Sequence, residues 1–223
     1  YYVNGKRSGT LSVYNSQIKR SSDILQELGT QPDLSWDGKH VAYVVLSGNA
    51  QEGDLWISNI DGSNRVKIAS GTGMVTAAFN SDASRFMFGL RENSAQKMYI
   101  IHSDGTGLRQ LPWSGVSAGY ASATPDPKFL YLGGWEHDFS RITTWKVAAD
   151  GSSVEKLADG CDAVWDVSSD GRYLLTSGSA GVSEFSVPDH KCISLAPELN
   201  TLVVHCSADG KSILYFAPGR GEG

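Results

Sequence analysis

Three consecutive residues, Glu136, His137 and Asp138 in the stretch "GGWEHDFSR" (133–141), are the densest group of side chains able to move a proton or hold a cation. Consecutive residues of an extended segment point in different directions, so a metal would need ligands converging from elsewhere in the chain. No matching histidine recurs at the equivalent places, and no metal or cofactor is assigned. A second group has the chemistry of recognition. "LRENSAQ" (90–96) carries Arg91 and Glu92, "PWSGVSAGY" (112–120) carries Trp113 and Tyr120, and Trp135 stands beside His137. Aromatic and arginine side chains are typical anchors of protein interfaces. Arg91, Glu92, Trp113, Tyr120, Trp135 and His137 are therefore the expected partner-binding residues. Trp113 has a second reading, packing inside the fold, which stays open at this point. Trp36, Trp56, Trp145 and Trp165, together with His40, His102, His190 and His205, fall within or beside apolar runs and are read as structural.

Templates for catalysis are missing. "SGSAG" (177–181) resembles a nucleophile elbow but lacks its glycine spacing around Ser179. There is no phosphate-binding loop, no HExxH pair and no calcium loop with a terminal glutamate. No catalytic residue is assigned.

The bulk properties bound the partners. With 223 residues and 40% hydrophobic content, the chain can bury the core of one domain. Its net charge of −5 argues against a nucleic-acid partner, which would call for a basic stripe. No apolar run approaches the ~20 residues of a membrane span, so direct membrane insertion is not expected. Both ends look cut from something longer, so the lack of a visible signal peptide carries no weight. Cys161, Cys192 and Cys206 are odd in number and include no CxxC pair, and are read as small buried side chains rather than as a disulfide framework or a zinc site. The sequence carries no signal for an oligomeric state.

What must position these residues is a repeat. "LSWDGKHVAY" (34–43) recurs as "FNSDASRFMF" (79–88), "ATPDPKFLYL" (123–132), "VSSDGRYLLT" (167–176) and "CSADGKSILY" (206–215). Its aspartates, Asp37, Asp82, Asp126, Asp170 and Asp209, are separated by 82 − 37 = 45, 126 − 82 = 44, 170 − 126 = 44 and 209 − 170 = 39 residues. A period in the low forties is that of a four-stranded propeller blade. Two residues before each aspartate stands Ser35, Asn80, Thr124, Ser168 or Ser207, able to bond backbone within a tight turn. The apolar runs that follow, such as Phe86-Met87-Phe88 and Tyr173-Leu174-Leu175, suit strands covered on both faces. A second series of turns follows about twenty residues later, around Asp61, Asp104, Asp150 and Asp189. The strands leaving it carry Arg65, Lys67, Arg109, Glu155, Lys156 and Lys191, charges that protect outer edges.

The expected fold is therefore all-β. It is a single β-propeller domain over residues 1–223, built of four-stranded antiparallel blades, five or six in number, in a closed or truncated ring. Four blades are complete, and incomplete ones lie at 1–28 and 200–223. The Asp–Gly turns share one face. The loops 46–54, 90–97, 133–142 and 177–182, with 69–76, 112–120, 158–162 and 196–201, share the other, and that is where a site is sought.

"QPDLSWDGKHVAY" followed by "DLWISNIDGSN" resembles the TolB-type, WD-repeat-like β-propellers, and the resemblance covers nearly the whole chain. Pro127 and the short turn at Asp189 depart most from the pattern. The resemblance implies the fold; for function it implies only a range. That range covers the periplasmic translocation protein TolB, gating propellers of prolyl oligopeptidase-like peptidases, and sensor or interaction modules of larger bacterial proteins. The expectation drawn from it is a non-enzymatic scaffold for a protein or peptide partner, periplasmic or otherwise extracytoplasmic. The alternatives are a propeller enzyme acting on a saccharide, with Glu136, His137, Asp138 and Asp162 as its candidates, and a peptidase's gating propeller.

Overall fold

A β-strand that reverses direction leaves backbone groups to be satisfied at the turn, and here side chains do it. In the computed structural model, Asp37 Oδ1 accepts a hydrogen bond from the Lys39 N–H at 3.0 Å. The same bond, from the N–H two residues on, recurs at Asp61, Asp82, Asp104, Asp126, Asp150 and Asp170. Ser35 completes the first turn: its hydroxyl donates to Asp37 at 2.7 Å and accepts from the His40 N–H at 2.9 Å. Ser168 does the same for Asp170 and Tyr173. The Ser35 and Ser168 hydroxyls hold the carboxyls of Asp37 and Asp170 below their ordinary range. Gly38 then takes a left-handed φ of 68°. Where the repeat has Ala83 instead, the alanine adopts φ 58°, so the turn keeps its shape at the expense of local strain.

The structure describes residues 2–3, 6–7, 9–15, 19–26, 32–46, 52–93, 95–136, 142–157, 163–178, 181–197, 204–207 and 212–215. All the elements described are strands. β1 (Tyr2–Val3) pairs with β2 (Lys6–Arg7), and β3 (Thr10–Asn15) with β4 (Arg20–Gln26), each antiparallel. Four complete blades follow. The first is β5 (Asp33–Leu34), β6 (His40–Leu46), β7 (Glu52–Asn59) and β8 (Val66–Thr72). The second is β9 (Val75–Phe79), β10 (Arg85–Glu92), β11 (Ala95–His102) and β12 (Arg109–Gln110). The third is β13 (Ser117–Ala123), β14 (Phe129–Trp135), β15 (Ile142–Ala148) and β16 (Val154–Lys156). The fourth is β17 (Ala163–Val167), β18 (Tyr173–Gly178), β19 (Gly181–Ser186) and β20 (Lys191–Ala196). A last hairpin, β21 (Val204–Cys206) and β22 (Ile213–Tyr215), closes the series. Each blade's strands are hydrogen-bonded in chain order, as the two series of turns require.

Two compact units divide the chain, residues 1–111 and 112–223. In the first, alternate residues of β6 serve different neighbours. Ala42 and Val44 join Phe79, Phe86 and Phe88 between the first and second blades. Val41 and Tyr43 pack with Leu11 of β3. This two-sided burial is why β6 reads as an unbroken apolar run. In the second unit Tyr131 and Leu157 of the third blade meet Val164, Leu174 and Phe185 of the fourth.

Two expectations need correcting. Cys192 is not a small buried side chain: it is disulfide-bonded and lies on the exposed outer strand β20. Short connections replace several expected loops, because the strands run further than the apolar runs suggest. Arg91 and Glu92 lie within β10, paired with Gln96 and Ala95, and Tyr120 lies within β13.

Asp33 ties the first two blades together. Its Oδ2 accepts a hydrogen bond from the Phe79 N–H at 2.9 Å, across from β5 to β9. Burial pushes its carboxyl up to about 6, against the opposing pull of the Phe79 and Leu34 N–H groups. The folded state thus holds a proton that the unfolded chain releases near 4. The stability this contributes is fully present below about pH 4 and is lost as pH rises from there through 6. Asp33→Asn supplies a neutral acceptor for the same bond. It should raise the stability at pH 7.5 by about 2 kcal/mol, with the gain over the parent shrinking between pH 6 and 4 and disappearing by about pH 3. Urea melts at pH 7.5 and about pH 3 measure this, and an equal gain at both would contradict it. The disulfide has its own check. Under denaturing, non-reducing conditions the three cysteines should yield one titratable thiol per chain, and Cys192→Ser should yield two.

Candidate functional site

Among the described residues, a group of partly exposed aromatic and ionisable side chains lies on the inner strands of the second unit, β13, β17 and β21. Tyr120 of β13 is 39% exposed. Its ring lies 3.6 Å, centroid to centroid, from that of Trp165 on the neighbouring strand β17, tilted by 37°. A β-bulge sets this up. Val164 pairs with Thr176 and Asp166 with Leu175, so Trp165 is the extra residue. Trp165 packs beside Leu175, which places it on the same face as Asp166 rather than the opposite one. β13 has its own irregularity between Ala118 and Tyr120. Asp166 Oδ1 accepts from the Val167 N–H at 2.8 Å, and its Oδ2 faces Nδ1 of His205 on β21 at 3.5 Å. Both side chains are accessible, Asp166 by 26% and His205 by 56%.

Trp135, the last residue of β14, is half-buried, and its ring covers Gly119 of β13; a Cβ built there would come within 3.1 Å of it. Trp113 lies against Gly134, the residue before Trp135. It is buried, packs edge-on against Trp145 at 5.6 Å, and fills the space beside Gly115 and Gly134. The indole N–H groups of Trp113 and Trp165 are enclosed and without a hydrogen-bond partner among the described residues.

The other expected residues are elsewhere. Arg91 is exposed in the first unit, its side chain lying over Gly73. Glu92 accepts a hydrogen bond from the Tyr99 hydroxyl. Burial, reinforced by that carboxylate, pushes the Tyr99 hydroxyl up to about 12. His137 lies outside the described residues, as do Asp138 and Asp162. Glu136 is engaged by the Thr143 hydroxyl at 2.6 Å and by Lys156 at 2.7 Å. No group of three metal-ligating side chains occurs among the described residues.

Sequence reasoning read Trp165 and His205 as structural and did not single out Asp166. A signal for two of them existed: Asp166 stands four residues before Asp170, His205 four before Asp209, and Asp33 four before Asp37. One repeat position thus carries a titratable group three times. Of the other tryptophans read as packing, Trp145 is buried and Trp56 lies under the Arg65 guanidinium at 4.1 Å. Trp36 is 53% exposed.

No protein-family model matches the chain, and no curated protein matches it by sequence. Solved structures do. TolB from Acinetobacter baumannii superposes with a TM-score of 0.69 at 19% identity, over 95% of this chain and 54% of that one. An oligogalacturonate lyase in complex with manganese gives 0.72 at 13% identity, over 96% and 69% of the two chains. The β-propeller domain of the Trilobed protease from Pyrococcus furiosus gives 0.64 at 14%, over 98% and 80%. The fold is that of a β-propeller. The likeness to TolB is one of fold, shared with the other propellers, and the chain spans about half the length of the TolB structure it matches.

The burial of Trp113 separates support from surface. Trp113→Ala should lower the unfolding free energy by about 3–5 kcal/mol, whereas Tyr120→Ala should cost about 1 kcal/mol or less. Chemical denaturation of the two variants measures both, and equal losses would place Tyr120 in the core with Trp113.

Proposed function

We propose that this propeller is a non-enzymatic module that binds a protein or peptide partner through the inner-strand surface of its second unit. The observation that carries the reading is Tyr120, exposed and stacked on Trp165 across two neighbouring strands. An aromatic side chain held against another on paired strands loses little freedom when a partner covers it, so its burial is retained as affinity. Trp135 extends the surface, Trp113 supports it, and His137 adjoins it in sequence. Arg91 and Glu92 belong to the first unit and form a contact region of their own.

The setting we propose is a larger bacterial protein outside the cytoplasm. The disulfide at Cys192 supports this, since such bonds persist in oxidising compartments. The resemblance to TolB-type propellers points the same way.

A phage-displayed random peptide library panned against the whole chain tests the reading. Enriched peptides should lose most of their binding to Tyr120→Ala and keep it on Trp36→Ala, whose ring is exposed in a turn of the other unit. No enrichment over a blank surface, or enrichment indifferent to Tyr120→Ala, would refute the proposed site.

A further inference from the structure

Beside the aromatic pair stands a carboxylate, and the two together suit a particular side chain. The bulge in β17 turns Trp165 and Asp166 to one face, where successive residues of a regular strand would point to opposite faces. Tyr120 approaches Trp165 from β13 and His205 approaches Asp166 from β21. Three neighbouring strands of one unit thus contribute to one patch: the exposed Tyr120 ring, the Trp165 ring stacked against it, and the partly accessible Asp166 carboxylate. Rings attract a cation by their quadrupole, and a carboxylate attracts it by charge. A planar guanidinium meets both demands, lying flat on a ring while its edge N–H groups reach an oxygen.

We infer that Tyr120, Trp165 and Asp166 form a receptor for an arginine side chain of the bound peptide. The inference rests on the peptide-binding reading above and narrows it. Charge complementarity favours it, because the chain carries a net charge of −5. A ring nitrogen already lies beside the carboxylate: His205 Nδ1 is 3.5 Å from Asp166 Oδ2. An incoming arginine displaces His205, which is well exposed and free to move aside. Asp166 Oδ1 stays on the Val167 N–H, so the carboxylate keeps its orientation during the exchange.

The test is NMR titration of the whole chain with the peptide acetyl-Gly-Gly-Arg-Gly-Gly-amide and with the same peptide carrying citrulline, the uncharged isostere of arginine. The indole N–H signal of Trp165, assigned by its loss in Trp165→Phe, reports occupancy. The arginine peptide should shift it saturably and bind about ten-fold more tightly than the citrulline peptide. Asp166→Asn should remove that difference, and Tyr120→Ala should weaken both peptides. His205→Ala, which leaves Asp166 in place, should bind the arginine peptide at least as tightly as the parent; it keeps the test decisive if Asp166→Asn fails to fold. Equal affinity for the two peptides, or loss of binding in His205→Ala, overturns the arginine receptor. The broader reading still stands in that case if Tyr120→Ala weakens both peptides. If neither peptide shifts the signal but trigalacturonate does, the surface binds saccharide, and both readings fall together.

Discussion

A carboxylate that accepts the N–H two residues ahead of it is the bond on which the rest of this protein depends. It closes the turns at Asp37, Asp82, Asp126 and Asp170, and again at Asp61, Asp104 and Asp150. Each turn sets the pairing of the two strands it joins, and with a side-chain period of two that register decides which residues face the core. The neighbouring Ser35 and Ser168 hydroxyls stabilise the carboxylates and cap the strand that follows. Aspartates that look like a line of reactive groups are thus consumed by architecture, leaving recognition chemistry to residues the repeat does not need.

The inner strands show how such residues become available. A regular strand would send Trp165 and Asp166 to opposite faces. One extra residue in β17 brings them to the same one, beside Tyr120 and His205. At the equivalent repeat position in the first unit, Asp33 serves another purpose. There the carboxylate is buried and bonded to the Phe79 N–H, joining two blades, and burial raises its proton affinity. Asp166 differs in lying nearer solvent with a histidine for a neighbour. One position in the repeat thus yields a structural clamp in one blade and an accessible charge in another, and the difference lies in what the next inner strand presents.

Much of the fold was legible because its determinants are local. Two series of Asp turns, a period in the low forties and apolar runs after each turn specify four-stranded antiparallel blades, and four complete ones are present. The antiparallel pairs β3 with β4 and β21 with β22 follow the same pattern of turns. Loop boundaries were less so. Arg91, Glu92 and Tyr120 fall in stretches that the repeat's topology assigns to loops, yet ladder hydrogen bonds carry β10 and β13 through those positions.

The sequence by itself determined the blade, because a turn needs only its own few residues and repetition needs only copies. It also singled out Tyr120 and Trp135 as candidates for the surface we propose to bind a partner. What the tertiary structure alone decided is which side chains meet. That Trp113 is buried against Trp145 while Tyr120 stays exposed on Trp165 depends on partners more than thirty residues away. The pairing of Asp166 with His205 and the bonding of Cys192 depend equally on where successive strands come to lie. No local pattern encodes those distances, since they follow from the packing of one sheet against the next.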